Sequence, residues 1–169
     1  VYHDSRGEIT YSVIAPEEIM GTDILASYRR VCGWVIDALE EIGLAAEFVP
    51  INDVVIRGKK VSGCAQTRRD GVFLQHGTVL YSLDLDAMFS VLKVDRQKLS
   101  DKGLGSSGER VTGVSSLGGA SMTTLMSALR RSFCRGKEWY EGQLSIGEMA
   151  KAEKLSRIRY GNRDWTFSR

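Results

Sequence analysis

The sequence predicts an α+β fold in which mixed, mainly antiparallel sheet strands are flanked by helices. Two observations carry this prediction. Short strand-like runs follow one another with turn residues between them, and stretches with helical spacing are interleaved with these runs without a regular βαβ alternation. The 169 residues are 43% hydrophobic and 26% charged, which is ordinary for a globular protein and excludes disordered and collagen-like classes.

The first two elements are a strand and a long helix. Residues 8–14 alternate between apolar and polar side chains, which is typical of a half-buried strand, and Pro16 ends the run. From Glu17 the apolar residues shift to helical spacing and form one stripe as far as Ile42. Gly43 follows where a C-terminal cap belongs, so we expect a single long helix packed on a sheet.

Four short strands are predicted next. Turn signals at Pro50, Arg57-Gly58 and Arg69-Asp70-Gly71 separate runs of strand-forming residues. The runs cover residues 46–49, 53–57, 60–66 and 72–81. Such closely spaced strands favour an antiparallel meander.

Three helices and one strand are predicted in the second half of the chain. Helical spacing covers residues 85–92 and a second stretch that Ser121 caps, and residues 139–144 resemble a strand. Ser145 and Glu148 fit a capping box, so a final helix is expected over about 146–160, ended by Gly161. Without repeats or a visible boundary, residues 1–169 are interpreted as one domain.

Residues 98–119 are the one long loop of the prediction. They are rich in glycine and serine, and residues 103–108 match the dinucleotide-binding pattern G-x-G-x-x-G by letter. No strand pattern precedes this run and no helix pattern follows it, which argues against a dinucleotide site. A long loop in a compact domain is usually functional, so a flexible lid is the favoured interpretation.

Charge and cysteine content narrow the functional class. The net charge is +2 with both signs interspersed, which does not favour nucleic acid, although the basic residues 57–60 suit a phosphate group. No apolar run approaches the roughly 18 residues that a membrane span needs, and no signal peptide is visible. Three cysteines without metal-ligand spacing favour reduced thiols, so a cytoplasmic protein is expected.

Lys60 is the first candidate for chemistry. It follows a turn in the run Gly58-Lys59-Lys60-Val61-Ser62-Gly63, and simple alternation places it on one face with Ser62 and Cys64. Spacing alone leaves two interpretations open: a charge on the floor of a pocket, or a solvated lysine at a hairpin tip. Cys64 is likewise either a nucleophile, activated by Lys60, or a small core residue.

Two histidines offer further candidates. His76-Gly77-Thr78 lies within an apolar strand, where the glycine would let a ligand approach the backbone and Thr78 would offer a hydroxyl. The alternative is a core histidine beside a bulge. His3-Asp4 is either a ligand pair or a turn.

Several of these motifs together, in this order, resemble the lipoate-protein ligase family. The resemblance rests on the block Lys60-Val61-Ser62-Gly63 with its Ala65-Gln66, on the downstream His76-Gly77-Thr78, and on four shorter matches. The shorter matches are Val1-Tyr2-His3-Asp4, residues 10–13, Asn52-Asp53 and residues 110–112. They span most of the chain.

The resemblance implies the fold that lipoate ligases share with biotin ligases, and a reaction in two steps. The carboxylate of lipoate attacks the α-phosphorus of ATP to give lipoyl-AMP, and an acceptor lysine then takes the acyl group. Lys60 is the implied catalytic residue, because a cation beside the acyl oxygen and the α-phosphate stabilises the charge that grows in both steps. Mg²⁺ is expected on the phosphates, with Asp53 as its candidate carboxylate.

The resemblance also implies a set of binding residues. ATP and lipoyl-AMP are expected to contact Val1, Tyr2, His3, Asp53, Lys60, Ser62, Ala65, His76, Gly77 and Thr78. The lid is expected to include Lys102, Gly103, Gly105, Gly108 and Arg110, which would protect the adenylate from water.

In the family a glycine-rich motif precedes the Val-Tyr-His-Asp stretch, so the chain is expected to lack an N-terminal part of its own site. Asp164-Trp165-Thr166-Phe167 resembles the close of the large catalytic domain, and no C-terminal accessory domain is expected within 1–169. A separate accessory subunit is therefore an expected partner.

The expected acceptors are lipoyl domains of 2-oxoacid dehydrogenase E2 or the glycine-cleavage H protein, with no nucleic acid or membrane partner.

Two other functions stay open. Octanoyltransferases of the same group pass an octanoyl chain from a carrier protein through a cysteine thioester. Their cysteine precedes the lysine hairpin, where residues 46–53 here contain none. The other alternative is a non-catalytic module that binds lipoyl domains.

Overall fold

The computed structural model describes residues 3–4, 6–84, 87–88, 90, 110–118 and 120–168. The chain divides into two compact units, Val1–Arg135 and Gly136–Arg169. The interpretation of residues 1–169 as one catalytic domain stays a prediction. No helix in the described part of the chain is long and apolar enough to cross a membrane.

The first unit contains a five-stranded sheet. Its order is β1-β5-β4-β3-β2, and every neighbouring pair of strands is antiparallel. This arrangement confirms the predicted meander and the α+β class. The strands are β1 Glu8–Pro16, β2 Glu47–Val49, β3 Asp53–Ile56, β4 Lys59–Arg69 and β5 Val72–Leu80.

Three α-helices beside the sheet are fully described in this unit. They are α1 Glu17–Met20, α2 Ile24–Glu41 and α3 Met122–Cys134. The prediction of one uninterrupted helix from Glu17 is wrong, because Gly21 adopts a φ of 71° and the Asp23 side chain caps a new helix by accepting from the Ala26 N–H. The predicted caps Gly43 and Ser121 are confirmed.

The core lies between one face of the sheet and helices α2 and α3. Val35 and Leu39 of α2 and Leu125 of α3 are fully buried against Val54 and Val79 of the sheet. We call this side of the sheet the inner face. The opposite side, the outer face, carries polar and small side chains that are half-buried or exposed: Thr10, Ser12, Asp53, Ala65, His76 and Thr78.

The second unit is helical. The capping box of Ser145 and Glu148 begins α4, Ile146–Leu155, which continues into a π-helical turn, Ser156–Tyr160, and a short α5, Arg163–Thr166. The predicted final helix is confirmed. The predicted strand over 139–144 is wrong, since these residues are irregular and none pairs with a strand of the described residues.

Two predicted segments fall largely outside the described residues: the helix over 85–92 and the loop over 98–119. The described end of that loop, 110–118, contains one turn of 3-10 helix, Val114–Leu117. Val114 is fully buried in the core.

Candidate functional site

A β-bulge decides the position of Lys60. The hairpin between β3 and β4 turns at Arg57 and Gly58, both with positive φ, and pairs Ile56 with Lys59 and Val55 with Lys60. The register then shifts, so that Val54 pairs with Ser62 and Val61 is the extra residue.

The bulge reverses the prediction for Lys60. Paired residues of a sheet share a face, so Lys60 lies on the outer face with Val55, whereas Ser62 lies on the inner face with Val54. Val61 and Ser62 are both buried, although they are consecutive. The expectation that Lys60 shares a face with Ser62 and Cys64 is therefore wrong.

The Lys60 side chain lies along the outer face above Gly63. A Cβ on Gly63 would come within 2.7 Å of both Cε and Nζ of Lys60, so only glycine leaves room for the side chain in this position. The ammonium forms an ion pair with Asp53, with 2.6 Å between Nζ and Oδ1. Both side chains are about one third exposed, so the charge is held in place and is still open to solvent.

Polar residues flank this ion pair across the sheet. Gly63 pairs with Asp53 on one side and with Thr78 on the other, and Thr78 pairs with Thr10 of β1. The row Thr10, Thr78, Gly63, Asp53 therefore crosses four strands beneath the ammonium.

The next row along the outer face holds Ser12, His76 and Ala65. His76 is exposed, so the alternative of a core histidine is wrong. Together the two rows bring Asp53, Ala65, His76 and Thr78 to the face of Lys60. These hydroxyl, imidazole and carboxylate groups supply hydrogen-bond donors and acceptors around one fixed cation.

Two predicted residues, Ser62 and Gly77, are not brought to this face. Ser62 is buried at 1% exposure on the inner face. Gly77 pairs with Cys64 and Tyr11, and a Cβ there would lie 2.6 Å from the Tyr11 hydroxyl and 2.8 Å from the Cys64 Cβ. The need for glycine at position 77 therefore comes from packing on the inner face.

The remaining predicted residues lie near the chain start or in the loop. His3 is exposed and its Nδ1 contacts the Glu8 carboxylate, while the Asp4 carboxylate accepts from the Arg6 N–H, which forms a turn. Val1, Tyr2, Lys102, Gly103, Gly105 and Gly108 lie outside the described residues.

Arg110 is tied to the backbone of the candidate catalytic lysine. The Lys60 N–H donates to the Arg110 carbonyl at 2.8 Å, and the Lys60 carbonyl accepts from the Thr112 N–H at 3.0 Å. Val111 forms a parallel bridge with Lys60. Spacing in the sequence gives no signal for this contact, because the two segments are 50 residues apart. The C-terminal end of the predicted lid loop therefore supports β4 at the bulge.

A buried polar cluster lies on the inner face below the site. The sulfur atoms of Cys32 and Cys64 are 3.6 Å apart. Their hydrogen bond lowers the pKa of Cys64 and raises that of Cys32. Burial, followed by the nearby thiols, raises the pKa of Tyr11 well above its usual range, so its phenol stays protonated at physiological pH.

Comparisons with known proteins show the family of this chain and its fold. The model of the lipoyl protein ligase A/B catalytic domain matches residues 1–134. Octanoyltransferase LipM of Brevibacillus brevis is 28% identical over all of this chain and 71% of its own length.

Two solved structures resemble the fold closely. One is a bipartite lipoate protein ligase, solved in work on the lipoylation system of Thermoplasma acidophilum that includes its E2 lipoyl domain. It is 32% identical with a TM-score of 0.84, over 98% of this chain and 65% of the other. The second is lipoate-protein ligase A bound with ATP, 28% identical with a TM-score of 0.81, over 98% and 66%. The chain thus spans about two thirds of these proteins.

Proposed function

Because the chain belongs to the lipoyl protein ligase A/B catalytic domain family, we propose that the whole protein is an ATP-dependent lipoate-protein ligase. It activates lipoate as lipoyl-AMP and passes the lipoyl group to a lysine of an acceptor domain. The observation that carries this proposal is the Lys60 ammonium, held above Gly63 and beside Asp53 on the outer face.

A fixed cation suits both steps of this reaction. Negative charge grows on the α-phosphate oxygens during adenylation and on the acyl oxygen during transfer. A lysine ammonium that already stands in place stabilises both without a proton transfer. Asp53 occupies one side of the Lys60 ammonium. The other N–H groups of this ammonium remain available to substrate oxygens.

The rows around Lys60 supply the remaining contacts. Thr78 and His76 offer donors to a carboxylate or phosphate, and Ala65 leaves space beside them because its side chain is small. Val1, Tyr2, His3 and the lid residues complete the proposed site by family resemblance.

Asp53 is the proposed carboxylate for the Mg²⁺ that accompanies ATP. The described residues hold no group of three or more His, Cys, Asp or Glu side chains suited to a metal. A single carboxylate is compatible with Mg²⁺, because this ion usually keeps several water ligands and is bound by one or two carboxylates together with substrate phosphates. The ion would neutralise phosphate charge, while Lys60 acts on the reacting oxygens.

The proposed partners follow from the same relatives. The bipartite ligase of Thermoplasma acidophilum was studied together with an E2 lipoyl domain. We therefore propose that the acceptor is a lipoyl domain or the H protein. We also propose that adenylation requires a separate accessory subunit.

An octanoyltransferase is the second candidate, favoured by the similarity to LipM. The position of the thiols argues against it. All three cysteines lie in described segments: Cys32 in α2, Cys134 in α3, and Cys64 on the inner face at 7% exposure. A thioester nucleophile would have to lie beside Lys60, and none of the three side chains points to the outer face.

One experiment separates these functions. Full-length protein, with any accessory subunit, is incubated with lipoate, Mg-ATP and a lipoyl domain, and in parallel with octanoyl carrier protein and the same domain. We expect pyrophosphate, lipoyl-AMP and lipoylated acceptor in the first mixture, all lost in Lys60→Ala. Octanoyl transfer through a hydroxylamine-labile cysteine adduct would establish the transferase instead. Acceptor binding without either reaction would establish a binding module.

A further inference from the structure

Two cysteines in contact lie directly beneath the candidate site. Cys32 is on α2 and Cys64 on β4, and the proposed reaction uses neither. Their sulfur atoms are 3.6 Å apart in the core, with residue exposures of 1% and 7%. A disulfide bond of about 2.05 Å requires the two sulfur atoms to approach by roughly 1.5 Å more.

The two thiols differ in reactivity. The hydrogen bond between the two thiols lowers the pKa of Cys64 and raises the pKa of Cys32. A thiolate is the form that attacks an oxidant, and a second thiol in contact resolves the product before further oxidation. Cys64 is therefore suited to the first step and Cys32 to the second.

We propose that Cys32 and Cys64 form an intramolecular disulfide when the protein meets hydrogen peroxide, so that helix α2 becomes covalently tied to the strand that carries Lys60. The Cys64 thiolate attacks one peroxide oxygen, the O–O bond breaks, and the departing hydroxide takes a proton to become water. The Cys32 sulfur then attacks the Cys64 sulfur, the S–O bond breaks, and a second water leaves with the Cys32 proton. Two thiols lose two electrons, and the peroxide is reduced to two waters.

This bond would act on the residues that hold the lysine. Cys64 directly follows Gly63, the residue beneath the Lys60 ammonium. The Cys64 backbone also forms two hydrogen bonds with Asn52: its N–H donates to the Asn52 carbonyl at 3.2 Å, and its carbonyl accepts from the Asn52 side chain. Asn52 precedes Asp53, so a displacement of Cys64 towards α2 moves both supports of the ammonium. The oxidised protein is therefore expected to be the less active form.

Peptide mapping tests the bond on the unmodified sequence. Trypsin cleavage after Lys and Arg places the cysteines in separate peptides: 31–57, 61–68 and 132–135. Full-length protein is treated with hydrogen peroxide, alkylated, digested without reduction and analysed by mass spectrometry. We expect peptides 31–57 and 61–68 joined with the loss of two hydrogens, and 132–135 alkylated.

The map also contains the outcomes that overturn the proposal. Peptide 61–68 would overturn it if it were recovered in alkylated form or with a sulfinic acid. A link from peptide 61–68 to peptide 132–135, or to a second copy of the protein, would overturn it as well. Cys134→Ser is the matched control and should keep the 31–57 to 61–68 link, whereas Cys32→Ser should lose it.

The effect of the disulfide on catalysis is measured by the lipoylation rate, and this test rests on the proposed function. A fully cross-linked sample should lose at least tenfold in lipoylation rate and recover with dithiothreitol. Unchanged activity in a fully cross-linked sample would refute the coupling to Lys60. Inactivity of the reduced protein would count against the proposed function, while the peptide map would still decide the disulfide.

Discussion

Replacing Gly63 by alanine should damage catalysis without damaging the fold. The new Cβ would lie 2.7 Å from Cε and Nζ of Lys60, whereas ordinary contacts begin at 3.4 Å, so the ammonium must move by at least about 0.7 Å. The atoms that must yield are the flexible end of one side chain, and the backbone at Gly63 has no positive φ. Displacement of a catalytic group by about 1 Å costs up to about 100-fold in rate. We therefore expect kcat/KM for lipoylation to fall roughly 10- to 100-fold, equivalent to about 1.4–2.7 kcal/mol.

The assay for Gly63→Ala pairs steady-state lipoylation with a denaturant unfolding curve. Stability should change by less than about 1 kcal/mol, because alanine is no worse than glycine in a strand. Gly33→Ala is the control, since its Cβ meets nothing within 4 Å and the residue lies in α2. In a Lys60→Ala background the Gly63 substitution should have no further effect, because the atoms it displaces are gone. Full activity in Gly63→Ala, or additive losses in the double variant, would refute the placement of Lys60 above Gly63.

Three further predictions concern other parts of the chain. Lys60→Ala should retain the fold and lose at least about 100-fold in the rates of both adenylation and transfer, because both steps lose the same charge contact. Pyrophosphate release measures the first step, and single-turnover transfer from added lipoyl-AMP measures the second. A loss in only one step would contradict the dual role of Lys60. Gly77→Ala should instead destabilise the protein by about 1–3 kcal/mol in urea unfolding, because its Cβ would meet the half-buried Tyr11 ring and the Cys64 Cβ rather than the flexible end of a side chain. A Gly77→Ala protein with wild-type stability would show that this packing is wrong. Hydrogen bonds from the Ser145 hydroxyl and N–H hold the pKa of Glu148 below its usual value. The capping box therefore supports α4 at every pH above the ordinary glutamate pKa, and this support is lost as the pH falls through the lowered pKa. The NMR chemical shifts of residues 146–149 should follow that titration, and shifts that do not change with pH would refute it.

The elements of the fold are largely encoded in local patterns. Alternation predicted β1, and turn residues predicted the β3–β4 and β4–β5 hairpins, because glycine and its neighbours at these turns adopt the positive φ that tight hairpins need. The failures lie where tertiary context decides. The stripe after Glu17 continues across Gly21 and Asp23, so apolar spacing alone conceals the helix break. Residues 139–144 have strand-like composition, and they form no strand in the described chain.

For the candidate site, the family resemblance names residues, and the structure decides how they are arranged. Resemblance supplied Lys60, Asp53, His76 and Thr78, and the register brings all four to one face. The face of Lys60 relative to Ser62 depends on the bulge at Val61, which alternation cannot reveal. The support from residues 110–112 was equally hidden, because contacts between distant segments leave no periodic signal.

The bulge makes the pairing of the backbone, as much as residue type, a condition for the chemistry. Two consecutive residues, Val61 and Ser62, enter the core, and this doubling is what sends Lys60 to the opposite side. If the same residues formed a regular ladder without the bulge, Lys60 would share a face with Ser62 and its side chain would point into the hydrophobic layer. The solvent-facing position of the candidate catalytic lysine therefore depends on one irregular pairing, and its loss would move the charge to the core side of the sheet with no change in any residue.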